Sequence, residues 1–301
     1  MTFICPACRE KGLLSEACRH RKDAVPSWNS VEKMQLIKAM LMEDGEAQFQ
    51  METLGINPTD NRPECFDPIF VRRMFEKKPV EIRDTIRYLL LTVDPAAGSD
   101  HSDKRHSDYV FMTVAYPGNI IMAVDALDVI EPQDYEAQLI DHIKRVRGLP
   151  HTEDAKLVIN VESGTGLEAG HIRRLVKDYF GEDNIICMTN QRRKPGMVTS
   201  EVTKARGVDL LRQHLGRDEI KFMNNVITSH NDPKKLLKGD FQRQVLDFKK
   251  IVTPRQNGTN SVRYSGKEKD KKDDLIMSLL LGLVAADDFF RNLVYYSEKH
   301  K

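Results

Sequence analysis

The stretch Arg87–Asp94, RYLLLTVD, decides how this chain is read. It is a short apolar run ending in a carboxylate, the pattern of a buried strand that delivers an acid to its end. Downstream, DYVFMTVAY from Asp108 to Tyr116 is rich in aromatic and β-branched residues. Pro117, Gly118 and Asn119 then supply turn chemistry before NIIMAVDALDVI, so the second and third strands form a hairpin.

Further on, Pro132 opens an amphipathic helix to about residue 147, and AKLVINVE at 155–162 is another apolar strand. Leu167 to Phe180 is again helical, and NIICMT at 184–189 is a fifth strand. A helix near 200–215, a helical region near 232–252, a short SVRYSG strand or loop and a last helix over 272–287 complete the chain. The order β-β-β-α-β-α-β followed by helices predicts an α/β fold. Its mixed sheet has three antiparallel strands plus parallel ones, with helices on the faces.

Residues 1–82 read differently, with helical patterns near 29–43, 45–55 and 66–77 punctuated by Pro26, Pro58, Pro63 and Pro68. This part is expected to be a mostly helical appendage or connector, and 83–301 a domain of its own.

Composition narrows the class. With 30% charged and 40% hydrophobic residues the chain is an ordinary globular one. Lys and Arg number 46 against 45 Asp and Glu, a net charge of +1, so any polyanion must be met by local clusters. A signal-type N-terminus and a stretch of about 18 apolar residues are both missing, which predicts a soluble intracellular protein with no membrane contact. Five cysteines do not make a disulfide framework, and Cys65 and Cys187 are expected to be buried thiols.

Three carboxylate positions recur at element ends: Asp94 and Glu162 close strands, and Asp273 and Asp274 open an apolar helix. Singly, each has an ordinary explanation as a turn, a solvated strand end or a helix N-terminus. Together, such carboxylates would repel one another and raise each other's pKa unless divalent cations neutralised them. Their hard oxygens suit Mg²⁺ or Mn²⁺.

The segments LLLTVDPAAGSD, SDYV, LVINVESGTG and VRYSGKEKDKKDDLIMSLLLGL, in this order and spacing, resemble the C-terminal nuclease of a viral terminase large subunit. The basic stretch RRKPGMVTSEVTKARGVDLL resembles that family between its fifth strand and next helix. The likeness covers roughly residues 85–290, and VRYSGK brings it nearer the herpesvirus form than the tailed-phage form. It implies a ribonuclease H-like fold and a metal-dependent endonuclease that cuts concatemeric double-stranded viral DNA during packaging by a two-ion phosphodiester hydrolysis. It also implies, as partners, DNA, other terminase subunits, the capsid portal and the ATPase domain of the same subunit. The location would be the host nucleus, or the host cytoplasm for a phage.

AQFQMETLG and ECFDPIFVRRMF resemble the end of the terminase motor domain, so residues 1–82 would be its tail. No Gly-rich phosphate loop ending in Lys-Ser/Thr occurs, and on this reading the chain cuts without pumping.

Carried over residue by residue, the family's first catalytic Asp falls on Asp94, its Glu on Glu162 and its last Asp on the Asp273/Asp274 doublet. Asp274 is favoured as the metal ligand with Asp273 beside it, and the reverse stays open. Asp108 would join through water.

For phosphate contacts the candidates are Lys267, Lys204, Arg206, Arg192, Arg193 and Lys194, with Lys234, Lys235, Lys238, Lys269, Lys271 and Lys272 behind them. About half are expected to be solvated surface charge. Cys5-x₂-Cys8-x₉-Cys18-x-His20 offers either a closed structural zinc site or plain thiols. AAGSDHSDKRHSD reads as a solvated loop rather than a second metal site, Asp108 excepted. Two rivals remain: another ribonuclease H-like nuclease, such as a junction resolvase or transposase, and a non-catalytic connector of a packaging motor.

Overall fold

In a computed structural model, residues 64–95, 108–127, 132–162, 167–181, 185–189, 194–223, 227–229, 237–254, 260–267 and 271–293 are described. The chain divides into two compact units, Met1–Arg62 and Pro63–Lys301. All described residues belong to the second. The zinc candidates Cys5, Cys8, Cys18 and His20 lie outside the described residues, as do Arg192, Arg193, Lys234, Lys235 and Lys269.

A helix, α1 (Pro68–Glu76), opens the unit: Asp67 accepts from the Ile69 amide at 2.8 Å and Pro68 takes the first helical position, where its missing N–H is harmless. Val71, Met74 and Phe75 are buried, and the helix packs on two later helices of the same core.

Then come β1 (Tyr88–Asp94), β2 (Tyr109–Tyr116) and β3 (Ile120–Leu127). Gly118 and Asn119 take positive φ in the turn between β2 and β3, as the sequence predicts for a tight hairpin. α2 (Pro132–Arg147), β4 (Lys156–Val161), α3 (Leu167–Phe180) and β5 (Ile185–Cys187) follow. Next are α4 (Glu201–Gly216), the short strands β6 (Lys221–Phe222) and β7 (Ile227–Ser229), and α5 (Lys238–Asp247). The unit ends with β8 (Lys249–Pro254), β9 (Asn260–Ser265) and α6 (Asp274–Arg291).

The main sheet runs β5-β4-β1-β2-β3-β6, with β7 also pairing β3. β1 is antiparallel to β2 and parallel to β4, and β4 is parallel to β5. This is the mixed sheet the sequence predicts. One local reading changes. The stretch 232–252 is not helical throughout: α5 stops at Asp247, and Lys249 onward is a strand paired with SVRYSG in a separate two-stranded sheet. That pairing supplies backbone partners a helix would otherwise have provided, and Ile251, Val252 and Thr253 are β-branched. Strands β6 and β7 are too short to carry a periodic signal.

The sheet separates two cores. Leu90, Val158 and Val110 face the α6 side, whereas Leu89, Leu91, Val93 and Ile159 face α2 and α3. Fourteen of the eighteen residues of α6 are buried, so it is the central helix of the fold and not an amphipathic cover. It packs so closely on α4 that a Cβ on Gly207 would stand 2.8 Å from Leu280 Cβ, and so closely on β1 that a Cβ on Gly282 would stand 2.9 Å from Thr92 Oγ1. Cys65 and Cys187 are buried free thiols, and burial pushes them up to about 12 and about 11. Among the described residues no helix is long and apolar enough to cross a membrane.

Candidate metal centre

Because β1 and β4 are parallel neighbours, with Val93 opposite Val161, both strands end at one edge. The Glu162 amide donates to Val93 O at 2.9 Å, which sets Asp94 and Glu162 side by side there. Such an edge, outside the carboxyl ends of parallel strands, is where α/β sheets leave a crevice. β2 runs the other way, so its beginning returns to the same place: Asp94 pairs with Val110, two residues after Asp108. The fourth contributor is the N-terminus of α6.

The Asp94 and Glu162 side chains stand within hydrogen-bond reach of one another. The Asp94 carboxyl is held well above the usual carboxylate range, first by burial, then by the charge of Glu162, their shared hydrogen bond and the charge of Asp274, with Lys267 pulling the other way. The two acids of the doublet differ. Asp273 is turned back onto the end of β9: its Oδ2 accepts from the Gly266 amide at 2.9 Å, and it lies 4% exposed. Asp274 accepts from the Asp108 amide at 2.9 Å and is the one whose charge acts on Asp94.

Lys267 Nζ stands 3.5 Å from Asp273 Oδ1 and 3.3 Å from Asp274 Oδ1. Burial alone would lower this ammonium, but Asp274 and Asp273 outweigh it and raise it. Lys272 Nζ reaches Asp108 Oδ1 at 2.6 Å.

Sequence reasoning missed Glu168, in the first turn of α3, whose carboxyl is raised first by burial and then by the charge of Glu162. An acid six positions beyond a strand-ending Glu, at the next helix start, was the available signal.

The other basic candidates are placed as follows. Lys204 Nζ is bonded to Glu201 Oε1 at 3.0 Å and to Tyr264 O at 3.2 Å. Arg206 is paired with Asp287 and Asp288 of α6. Lys271 Nζ meets Asp247 Oδ2 at 2.8 Å, and Lys194 and Lys238 lie apart from the carboxylates in sequence, before α4 and at the start of α5.

A cavity of about 150 Å³ lies on the opposite face of the sheet, lined by Asp125, Leu127, Gln138, Asp141, His142 and Arg145. It shares no residue with the carboxylate edge. Beside it, Thr113 Oγ1, His142 and Asp125 form a hydrogen-bonded chain, at 2.8 Å and 2.5 Å. The order mimics a nucleophile relay, but Thr113 is 1% exposed inside the sheet and no substrate reaches it. The chain instead satisfies polar groups under α2, and Arg145 closes it at 2.5 Å from Asp125.

The donor set at the strand ends suits a hard divalent cation by its chemistry: carboxylate oxygens only, whose mutual repulsion a cation would relieve. Among the described residues no three His, Cys, Asp or Glu side chains enclose a single point, and Lys267 bridges the doublet.

No protein-family model and no curated protein sequence matches the chain. Solved structures do. The manganese-soaked, inhibitor-bound nuclease domain of the human cytomegalovirus terminase is similar over 75% of this chain and 96% of its own, with a TM-score of 0.53 and 15% identity. The same domain in another structure gives 0.51 at 16% identity, over 74% of this chain and 96% of its own. The large terminase nuclease of thermophilic phage G20c gives 0.41 at 14% identity, over 73% and 97%. The chain therefore shares the fold of the human cytomegalovirus terminase nuclease domain.

Proposed function

We propose that this chain is a divalent-metal-dependent endonuclease that cuts concatemeric double-stranded viral DNA during genome packaging. The observation that carries the reading is the meeting of Asp94, Glu162 and Asp274 at one sheet edge, in the fold of terminase nuclease domains. Asp94 would be the ligand shared by two ions. Glu162 would hold one and Asp274 the other. Asp108 and Asp273 lend support, Asp108 by tying Asp274 to β2 and Asp273 by anchoring the start of α6 to Gly266.

Mg²⁺ or Mn²⁺ held there would polarise the phosphodiester, lower the pKa of an attacking water and stabilise the departing oxygen. The chain's own groups do the rest. The carboxylates would fix where the phosphate comes to lie, and Lys267, which is partly exposed and stands 3.3 Å from Asp274 Oδ1, would meet a phosphate oxygen. Residues 192–194 and Lys204 would extend phosphate contact along the duplex without reading bases. On the same reading the partners are other terminase subunits, the portal and an ATPase domain, and the site of action is the host nucleus for a herpesvirus-type protein. Cys5, Cys8, Cys18 and His20 would hold a structural zinc, supported by their spacing alone.

The test is plasmid cleavage by the purified chain with Mn²⁺, Mg²⁺ or chelator. Nicked and linear products are expected only with metal, and Asp94→Ala, Glu162→Ala and Asp274→Ala should each nearly abolish them while the fold persists. Cutting in chelator, or full activity in all three variants, would overturn the reading. Equal cutting of linear and branched duplexes separates a packaging nuclease from a junction resolvase.

A further inference from the structure

Behind each of the three carboxylates stands one buried polar residue on the same face of the same element. Thr92 is two residues before Asp94 on β1, Asn160 two before Glu162 on β4, and Ser278 one helical turn after Asp274 on α6. Strand residues two apart share a face, and helix residues four apart do likewise. Thr92 and Asn160 are direct register partners. The face of α6 carrying Asp274, Ser278 and Gly282 is the one pressed on β1, because a Cβ on Gly282 would meet Thr92 Oγ1.

Thr92 is 1% exposed, and Asn160 and Ser278 are fully buried. The surroundings on this side are apolar: Leu90, Val158, Leu275 and Leu279. Both polar atoms of Asn160 and the hydroxyl of Ser278 have no hydrogen-bond partner among the described residues. Each such group destabilises the fold when left unmet. Val158, one step back on the same strand face, shows that an apolar side chain is accommodated there. A position chosen for packing alone would carry the same. Buried polar groups of this sort are ordinarily met by internal water, which needs two to four partners. Asn160, Ser278 and Thr92 supply them.

We propose that Asn160 is a positioning residue of the cation site: through a buried water shared with Thr92 and Ser278 it holds the Glu162 carboxylate in the orientation that binds metal. The spacing allows it. Residues two apart on a strand lie about 6.6 Å apart on the same face, a separation that one water can bridge between an amide and a carboxylate. The arrangement stabilises no part of the apo fold that leucine could not stabilise better, so its effect falls on metal binding. This inference rests on the metal-site reading above.

The test is Asn160→Leu in the full 301-residue chain, with Mn²⁺ affinity measured by calorimetry and the melting temperature of the metal-free protein measured beside it. Replacing a buried unmet amide by an apolar side chain of similar size should leave the metal-free melting temperature equal to wild type or higher. Mn²⁺ affinity should fall about tenfold or more, as on loss of a group that orients a ligand. Ser278→Ala should weaken Mn²⁺ several-fold, again without lowering the melting temperature. Asn160→Val carries the same expectation if leucine does not pack. A merely structural asparagine would give the reverse pairing, a lower melting temperature with unchanged Mn²⁺ affinity, and that result overturns the proposal. So does wild-type Mn²⁺ affinity in both the Asn160 and Ser278 variants. If the wild-type chain itself binds no Mn²⁺ and cuts no DNA, the metal-site reading falls first and this inference with it.

Discussion

Asp274 Oδ2 accepts the backbone amide of Asp108 at 2.9 Å, across 166 positions of sequence. The bond joins the first turn of α6 to the start of β2. It leaves the other Asp274 oxygen toward Lys267, on the side of Asp94. Asp273, one residue earlier, is rotated away onto Gly266. The doublet is thus split into an anchor and a site-facing acid.

From the raised Asp94 carboxyl a pH dependence follows. A group that holds its proton more tightly when folded adds stability that is fully present below the unfolded carboxylate pKa, about 4, and is lost as pH rises toward the folded value. In metal-free protein, Asp94→Asn should therefore melt increasingly above wild type as pH rises from about 4 to 7. Asp125 and Asp287 shift the other way and are common to both proteins, so they drop out of the difference. For Asp125, burial would raise the carboxyl but His142 and Arg145 bring it below its ordinary value. Saturating Mn²⁺ should reverse the order of the two melting temperatures. A pH-independent gap would mean that Asp94 carries no excess repulsion.

Gly207 is where α4 and α6 touch backbone to side chain. A Cβ there would lie 2.8 Å from Leu280 Cβ and 3.1 Å from Leu280 O, and α6 is too enclosed to move without disturbing its neighbours. Gly207→Ala should destabilise by about 1–3 kcal/mol, read as a drop of several degrees in thermal unfolding. Because α6 carries Asp274, cleavage should fall too. Wild-type melting would show that the helices separate freely.

Lys267→Ala should act in two directions. Removing the ammonium from beside the doublet frees Asp274 to bind a cation, so Mn²⁺ affinity should rise several-fold by calorimetry. Duplex DNA affinity should fall, equally on two unrelated sequences, with the salt slope reduced by about 1. Loss on one duplex and not the other would make Lys267 a reader of bases.

The N-terminal cysteines make a separate prediction. Elemental analysis of the purified chain should find about one zinc, and Cys8→Ser should remove it. A zinc-free wild type of equal stability would leave Cys5, Cys8, Cys18 and His20 as ordinary side chains.

The sequence by itself determined the order of strands, the hairpin and the carboxylate at each element end, because these are written in local signals. RYLLLTVD and AKLVINVE are apolar runs of strand length, and Pro117, Gly118 and Asn119 mark a turn. Resemblance to a family supplied the grouping of Asp94, Glu162 and the doublet. Tertiary structure alone decided the remainder. Which acid of the doublet faces Asp94 depends on how α6 is rotated, and that is set by the close approach of Gly207 and Gly282 to Leu280 and Thr92. Lys249 to Pro254 became a strand because SVRYSG lay beside it to share hydrogen bonds. Asn160 stands in an apolar strand as one polar residue, and only the pairing of β1 with β4 sets it against Thr92, behind Asp94 and Glu162. Local pattern encodes which way a residue faces along its own strand or helix. What it faces is a property of contacts between elements far apart in sequence, which no local pattern carries.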